Sequence, residues 1–263
     1  VHLHFVTTHQ APGGPHQALR SEGAAASLMS YAHRRVEPFL SGCWGPHHRL
    51  IIDSGAFSAW SAGEVIRPEA YAEWALRFQR RWRGRLGALE FMSLDVIGDQ
   101  AASWRNHQAL RLAGLDPIPI VTHGVELHHL DRAMDEHPRV ALGGLVPLTR
   151  DARALRGWLD ACFARVLRRY KTTGKIARLH LLGVTQPWVM RRYPAFSVDS
   201  SSWEVLIRYG GAGGMLGAHE KVPHNTVAPA INVYALRQQL RLYQGLAREA
   251  SEIWRARGID FDA

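Results

Sequence analysis

Short apolar runs alternate along the chain with longer stretches in which apolar residues recur every three or four positions. The runs predict strands over His2–Val6, Arg49–Asp53, Ala88–Leu94, Ile118–Thr122, Arg139–Leu142, Leu179–Leu182 and Ala195–Val198. Several are bounded by Gly, Asp or Ser, as buried parallel strands are. The longer stretches predict helices over Pro68–Trp82, Ala102–Ala113, Val125–Glu136 and Asp151–Lys171. Pro68 stands where a proline suits a helix start. Leu155, Leu159, Cys162, Phe163 and Val166 form one apolar face of the last of them. A final helix is predicted over Val233–Arg257, with Leu236, Leu240, Tyr243 and Ala247 as the stripe that packs on the rest. Strand and helix in alternation indicate a parallel α/β fold. A length of 263 residues suits a single TIM-like (β/α)8 barrel with a C-terminal helix better than an open doubly wound sheet, so one domain over residues 1–263 is expected.

Composition narrows the class. Hydrophobic residues make up 46% and charged residues 21%, the balance of a globular chain with a sizeable core. No run approaches the length of a membrane span, and the opening VHLHFVTTHQ lacks the layout of a signal peptide, so no membrane association and a cytoplasmic location are expected. The two cysteines, Cys43 and Cys162, provide no disulfide framework and no four-cysteine zinc site. Lys and Arg outnumber Asp and Glu by 32 to 23, giving a net charge of +9 and a modest case for a nucleic-acid partner. An arginine-rich composition gives the same excess with no polyanion involved. The paired histidines His47/His48 and His128/His129 read as surface positions. The glycine-rich segment Tyr209–Gly217 lacks the lysine of a phosphate-binding loop and reads as a flexible or close-approach loop.

The polar residues that end the predicted strands carry the candidate chemistry, because strand C-termini form the active-site mouth of such a barrel. Asp53 ends IID, Asp95 ends FMSLD, His123 follows IPIVT, Gly143 and Gly144 follow VAL, Gly183 follows HLL and Asp199 follows FSV. Two carboxylates facing one bond can serve as nucleophile and general acid/base, as in retaining glycosidases. The glycines would let a flat ligand approach the backbone. The three aspartates and the histidine could also ligate a divalent cation. Taken singly, an aspartate after a strand is more often a helix cap. The reading adopted has no metal and no cofactor.

The spelling of these segments carries a resemblance. DSGAFS (Asp53–Ser58), SLD (Ser93–Asp95), VTHG (Val121–Gly124), ALGGL (Ala141–Leu145), LLGV (Leu181–Val184) and SVDSSSW (Ser197–Trp203) resemble, in order, the blocks of the tRNA-guanine transglycosylase superfamily. The set is most similar to the compact phage and bacterial DpdA-type relatives that place 7-deazaguanine bases in DNA. The resemblance implies a TIM barrel that exchanges guanine in a polynucleotide for a free 7-deazaguanine such as preQ0 or preQ1. By the same resemblance Asp199 is the nucleophile that forms a covalent sugar ester, and Asp53 is the general acid/base. Asp95 reads the base edge, with His123, Ser54 and Gly183 also at the substrate. Gly143, Gly144 and Leu145 lie along the base, and Phe57 and Leu182 sandwich it.

This chain departs from the tRNA enzymes at His123 and Ser58, where they carry glutamines. It also lacks the arginine-bearing turn after the nucleophile, and two cysteines cannot build their three-cysteine zinc site. DNA is therefore the expected partner over tRNA, with a free 7-deazaguanine base as second substrate. Arg191, Arg192 and Trp203 are the candidate nucleic-acid contacts. The alternatives are a tRNA enzyme, a hydrolase or ribosyltransferase acting on free deazaguanine nucleosides, and a module that binds modified bases without turnover.

Overall fold

The computed structural model describes residues 1–7, 14–204 and 229–261; the glycine-rich Tyr209–Gly217 lies outside them. Among the described residues eight parallel strands form one sheet: β1 (His2–Val6), β2 (Ala26–Ser30), β3 (Arg49–Asp53), β4 (Ala88–Phe91), β5 (Ile120–Thr122), β6 (Arg139–Gly143), β7 (Arg178–Leu181) and β8 (Ser197–Ser200). Their spatial order is β4-β3-β2-β1-β8-β7-β6-β5. The two edges meet through one parallel bridge, Met92 to Ile118. There Ile118 N–H donates to Phe91 O (2.7 Å) and Ser93 N–H donates to Ile118 O (2.9 Å). The chain is a TIM-like (β/α)8 barrel, as the alternation of elements requires. No helix among the described residues is long and apolar enough to cross a membrane.

The period of two along each strand sorts side chains into two cores. In β3, Leu50 and Ile52 join the large cluster under the surrounding helices, while Ile51 belongs to a smaller one with Leu28, Met92, Ile118, Ile120 and Ala141. The smaller cluster takes residues from successive strands and is the inside of the barrel; Val6 and Leu182 pack on it. The helices bury their predicted faces. Tyr71, Ala72, Ala75 and Phe78 of Pro68–Trp82, and Leu155, Leu159, Cys162, Phe163 and Val166 of Ala152–Thr173, are all buried. The last helix, Pro229–Ala256, buries Leu236, Leu240 and Tyr243 and packs on helices Gly14–Ser21 and Pro187–Arg192.

Strand β2 is absent from the predicted pattern, because ASLMS has no β-branched residue and follows an alanine-rich stretch that reads as helix. β4 stops at Phe91 rather than Leu94, where the backbone turns its hydrogen bonds to Ile118. β8 runs two residues past Val198, so Asp199 lies within the strand rather than after it. His48 is not a surface residue: it is 4% exposed, and its Nε2 lies 2.8 Å from Ser27 Oγ.

Candidate active site

Strand parity aims the acids. Asp53 has the same parity as the inward Ile51 and ends β3 at the C-terminal rim of the barrel. His180 pairs with the inward Ala141 on one side and with Ser197 on the other, which places Asp199 on the inner face two residues further along β8. Asp95 arrives from the loop after β4. These three acids line one pocket of about 680 Å³ at the mouth, together with Phe57, Gly143, Gly144, Leu145, Leu182, Gly183 and Glu204.

The acids sit in unlike surroundings. Asp53 is half-buried, and Gly55 N–H donates to its Oδ2 (2.8 Å). Burial, then the neighbouring Asp95, push its pKa up to about 7, Asp199 adding to the rise and the Gly55 hydrogen bond opposing it. Burial also raises Asp95, to about 6. Asp199 is 6% exposed, and its Oδ1 accepts from His180 Nε2 (3.0 Å) and from Gly183 N–H (2.9 Å). His180 Nδ1 lies 2.8 Å from Ser197 Oγ, so both ring nitrogens are satisfied.

Two glycines make this geometry possible. Gly55 has φ +78°, and a Cβ there would stand 2.5 Å from Ala32 Cβ. Gly183 has φ +72°, and its Cβ would stand 2.3 Å from Val146 Cγ2. Each presents its N–H to a site aspartate from a conformation that other residues rarely adopt. Gly143 and Gly144 have a different reason. A Cβ at Gly143 would meet Ile120 Cγ2 at 2.9 Å, and one at Gly144 would meet Thr122 Cγ2 at 2.9 Å. Their missing side chains make room for β5, and both residues also line the pocket.

Of the other expected site residues, Phe57 stays at the rim of the pocket, whereas His123, Ser54, Trp203, Arg191 and Arg192 are not among its described lining. His123 is exposed, its ring set edge-on to Trp158 (5.1 Å), and it does not line the pocket. Ser54 is fully buried and accepts weakly from Ala56 N–H (3.3 Å), a local turn contact. Phe57 is 56% exposed and tilts beside Trp60 at the rim, ring centroids 6.0 Å apart. Trp203 is wholly buried: it packs edge-on to Phe5 (5.7 Å), and its indole N–H donates to Val6 O (2.9 Å). Arg191 forms a two-point pair with Glu249 (2.7 and 2.9 Å), and Arg192 pairs with Asp160 (3.0 Å). All three are thus engaged within the protein. Asp99 caps the helix Gln100–Leu112 by accepting from Ala102 N–H (2.8 Å). His180 went unnoticed in the sequence; its signal is a histidine at an inward position of an apolar strand. Among the described residues no group of three or more His, Cys, Asp or Glu side chains is arranged to hold a metal ion.

Fold and site together define a TIM-like barrel with acids at the strand C-termini, where enzymes of this fold carry their active sites. No protein-family model and no curated protein matches the chain. Among solved structures it is similar to one titled as the 4-hydroxy-2-oxoglutarate aldolase/2-deydro-3-deoxyphosphogluconate aldolase from TTHB1, with 14% identity, 93% of each chain covered and a TM-score of 0.47. The expectation of guanine exchange in DNA is corrected: the solved structure the chain is similar to is titled as an aldolase, not as a transglycosylase. Among the described residues no arginine or lysine lines the pocket.

Proposed function

We propose that the chain is a carboxylate-based enzyme of glycosyl transfer, acting on a small ligand held in the mouth of the barrel. The charge of the pocket carries this reading. Asp53, Asp95, Asp199 and Glu204 line it, His33 is the sole basic residue among the described lining, and no lysine or arginine joins them. Such a wall disfavours a transition state that gathers negative charge, such as an enolate, and favours one that gathers positive charge. Cleavage at an acetal carbon passes through an oxocarbenium-like state of that kind. The described lining also offers no lysine amine for an imine, so no aldolase chemistry is carried over. Kinship with the transglycosylase superfamily remains a proposal resting on Asp53, Asp95 and Asp199, without its guanine or its DNA.

The two principal acids divide the work. Asp199 Oδ2, which no described residue engages, attacks the acetal carbon and forms an ester with the sugar. The bond to the leaving group breaks, its electron pair stays with the departing atom, and that atom takes the proton of Asp53. An acceptor then loses a proton to the Asp53 carboxylate and attacks the same carbon, which releases Asp199. A proton donor near pKa 7 suits the first step at neutral pH, and its environment differs from that of its partner as such a pair requires.

A panel of aryl pentofuranosides and hexopyranosides tests the reading, with nitrophenyl and methoxyphenyl leaving groups. Turnover of at least one sugar is expected. Asp199→Asn should remove turnover of both aryl series, whereas Asp53→Asn should slow methoxyphenyl release about 100-fold and nitrophenyl release far less, because nitrophenolate leaves without a proton. No release from any member, or wild-type release by Asp199→Asn, would overturn the proposal.

A further inference from the structure

We infer that His180 is a positioning residue for Asp199, held in place by Ser197, and that it selects Oδ2 as the reacting oxygen. The inference rests on the reading of Asp199 as nucleophile. His180 is 1% exposed, Asp199 is 6% exposed and Ser197 is fully buried, so solvent does not share these contacts. A carboxylate turns easily about its last bond, where the torsional wells are broad and roughly two-fold. Two donors on one oxygen stop that turning. Gly183 N–H and His180 Nε2 both reach Oδ1, one from the loop after β7 and one from β7 itself. Oδ2 has no hydrogen bond among the described residues, and Asp199 borders the pocket. In the ester, Oδ1 becomes the carbonyl oxygen and keeps both donors.

The ring is itself fixed. A nucleophilic Asp199 is a carboxylate that only accepts, so that reading puts the shared proton on Nε2. Nδ1 meets Ser197 Oγ at 2.8 Å, and a hydroxyl can donate to a bare nitrogen or accept from a protonated one. His4 stands edge-on to His180, ring centroids 5.9 Å apart, and directs its own Nδ1 at Ser27 O (3.2 Å), so it does not compete for Asp199. Burial, then the neighbouring His180, push the pKa of His4 well below the ordinary histidine value. It therefore packs as a neutral ring.

The test pairs two substitutions with one spectroscopic readout on the full chain. His180→Leu keeps bulk and removes the donor; His180→Gln returns an amide N–H close to the place of Nε2. His180→Leu should lower kcat about 100-fold with KM nearly unchanged, and His180→Gln should recover most of that loss. In the NMR spectrum of histidine-labelled protein, the His180 Nε2–H resonance should be present and should move in Asp199→Asn. Wild-type kcat in His180→Leu, or a glutamine variant as slow as the leucine one, would overturn the inference. If no glycoside is turned over at all, the reaction reading falls and takes with it the choice of Oδ2 as reacting oxygen, while the holding of Asp199 by His180 stands or falls separately. The NMR readout then decides: a resonance that ignores Asp199→Asn overturns the positioning role, and one that moves supports it.

Discussion

A carboxyl group that keeps its proton to about pH 7 is poised for catalysis and is costly to bury once charged. Asp53 carries both consequences. Its folded pKa lies above the ordinary carboxylate value, so between that value and about 7 the native state binds a proton that the unfolded chain has lost. The stability this contributes is fully present at low pH and is lost as pH rises through 7. Asp53→Asn removes the charge and keeps an acceptor for Gly55 N–H. At pH 8 the variant should be more stable than the wild type by on the order of 1–3 kcal/mol, and at pH 5 the difference should shrink. Urea midpoints at the two pH values measure it; equal gaps at both would show that Asp53 is not raised. Asp95, pushed to about 6 by burial, adds a smaller dependence of the same sign. The acids were legible in the sequence because each follows an apolar run in a short polar motif. His180 was not, since a histidine inside RLHLLGV is indistinguishable from a packed core ring until its neighbours across β6 and β8 are known.

Elements were read best where local chemistry sets their ends. Asp151 was expected to open the helix that runs to Thr173, and it stands as the N-cap, accepting from Arg153 and Ala154 N–H at 3.0 Å each. The helix ends at Gly174 in a left-handed conformation, φ +68°. Asp151→Ala should cost about 1 kcal/mol of stability by chemical denaturation and leave turnover at the mouth unchanged. An unchanged midpoint would mean that water serves those two N–H groups equally well. β2 was missed for the opposite reason. Its residues have weak strand preference, and it exists because β1 and β3 offer it hydrogen bonds on both sides. The ends of β4 and β8 also moved with their partners, since a strand stops where its ladder does.

At the scale of the molecule, the barrel needs a filled floor as well as an open mouth. Phe196 lies near the N-terminal ends of the strands, with the guanidinium carbons of Arg139, Arg178 and Arg49 at 4.5, 5.2 and 5.8 Å from its ring centre. Arg139 pairs with Glu90, and burial, followed by repulsion from Arg49 and Arg178, lowers its pKa to about 9. Glu90→Gln leaves that cluster without this carboxylate. Because the Glu90 side chain is 22% exposed, the expected loss is roughly 2–3 kcal/mol, below the range for a wholly buried pair, and it should be larger at low salt. Denaturation midpoints across a salt series measure it, and a salt-independent value would deny the electrostatic origin. By itself the sequence determined the class of fold, most elements and the acids at strand ends, because periodicity, capping and turn chemistry act over a few residues. Only the tertiary structure decided which side chains face one another. It turned His123 toward Trp158, buried Trp203, tied Arg191 and Arg192 to Glu249 and Asp160, and set His180 against Asp199. Those choices depend on strand register and barrel closure, which bring together residues that no local pattern relates.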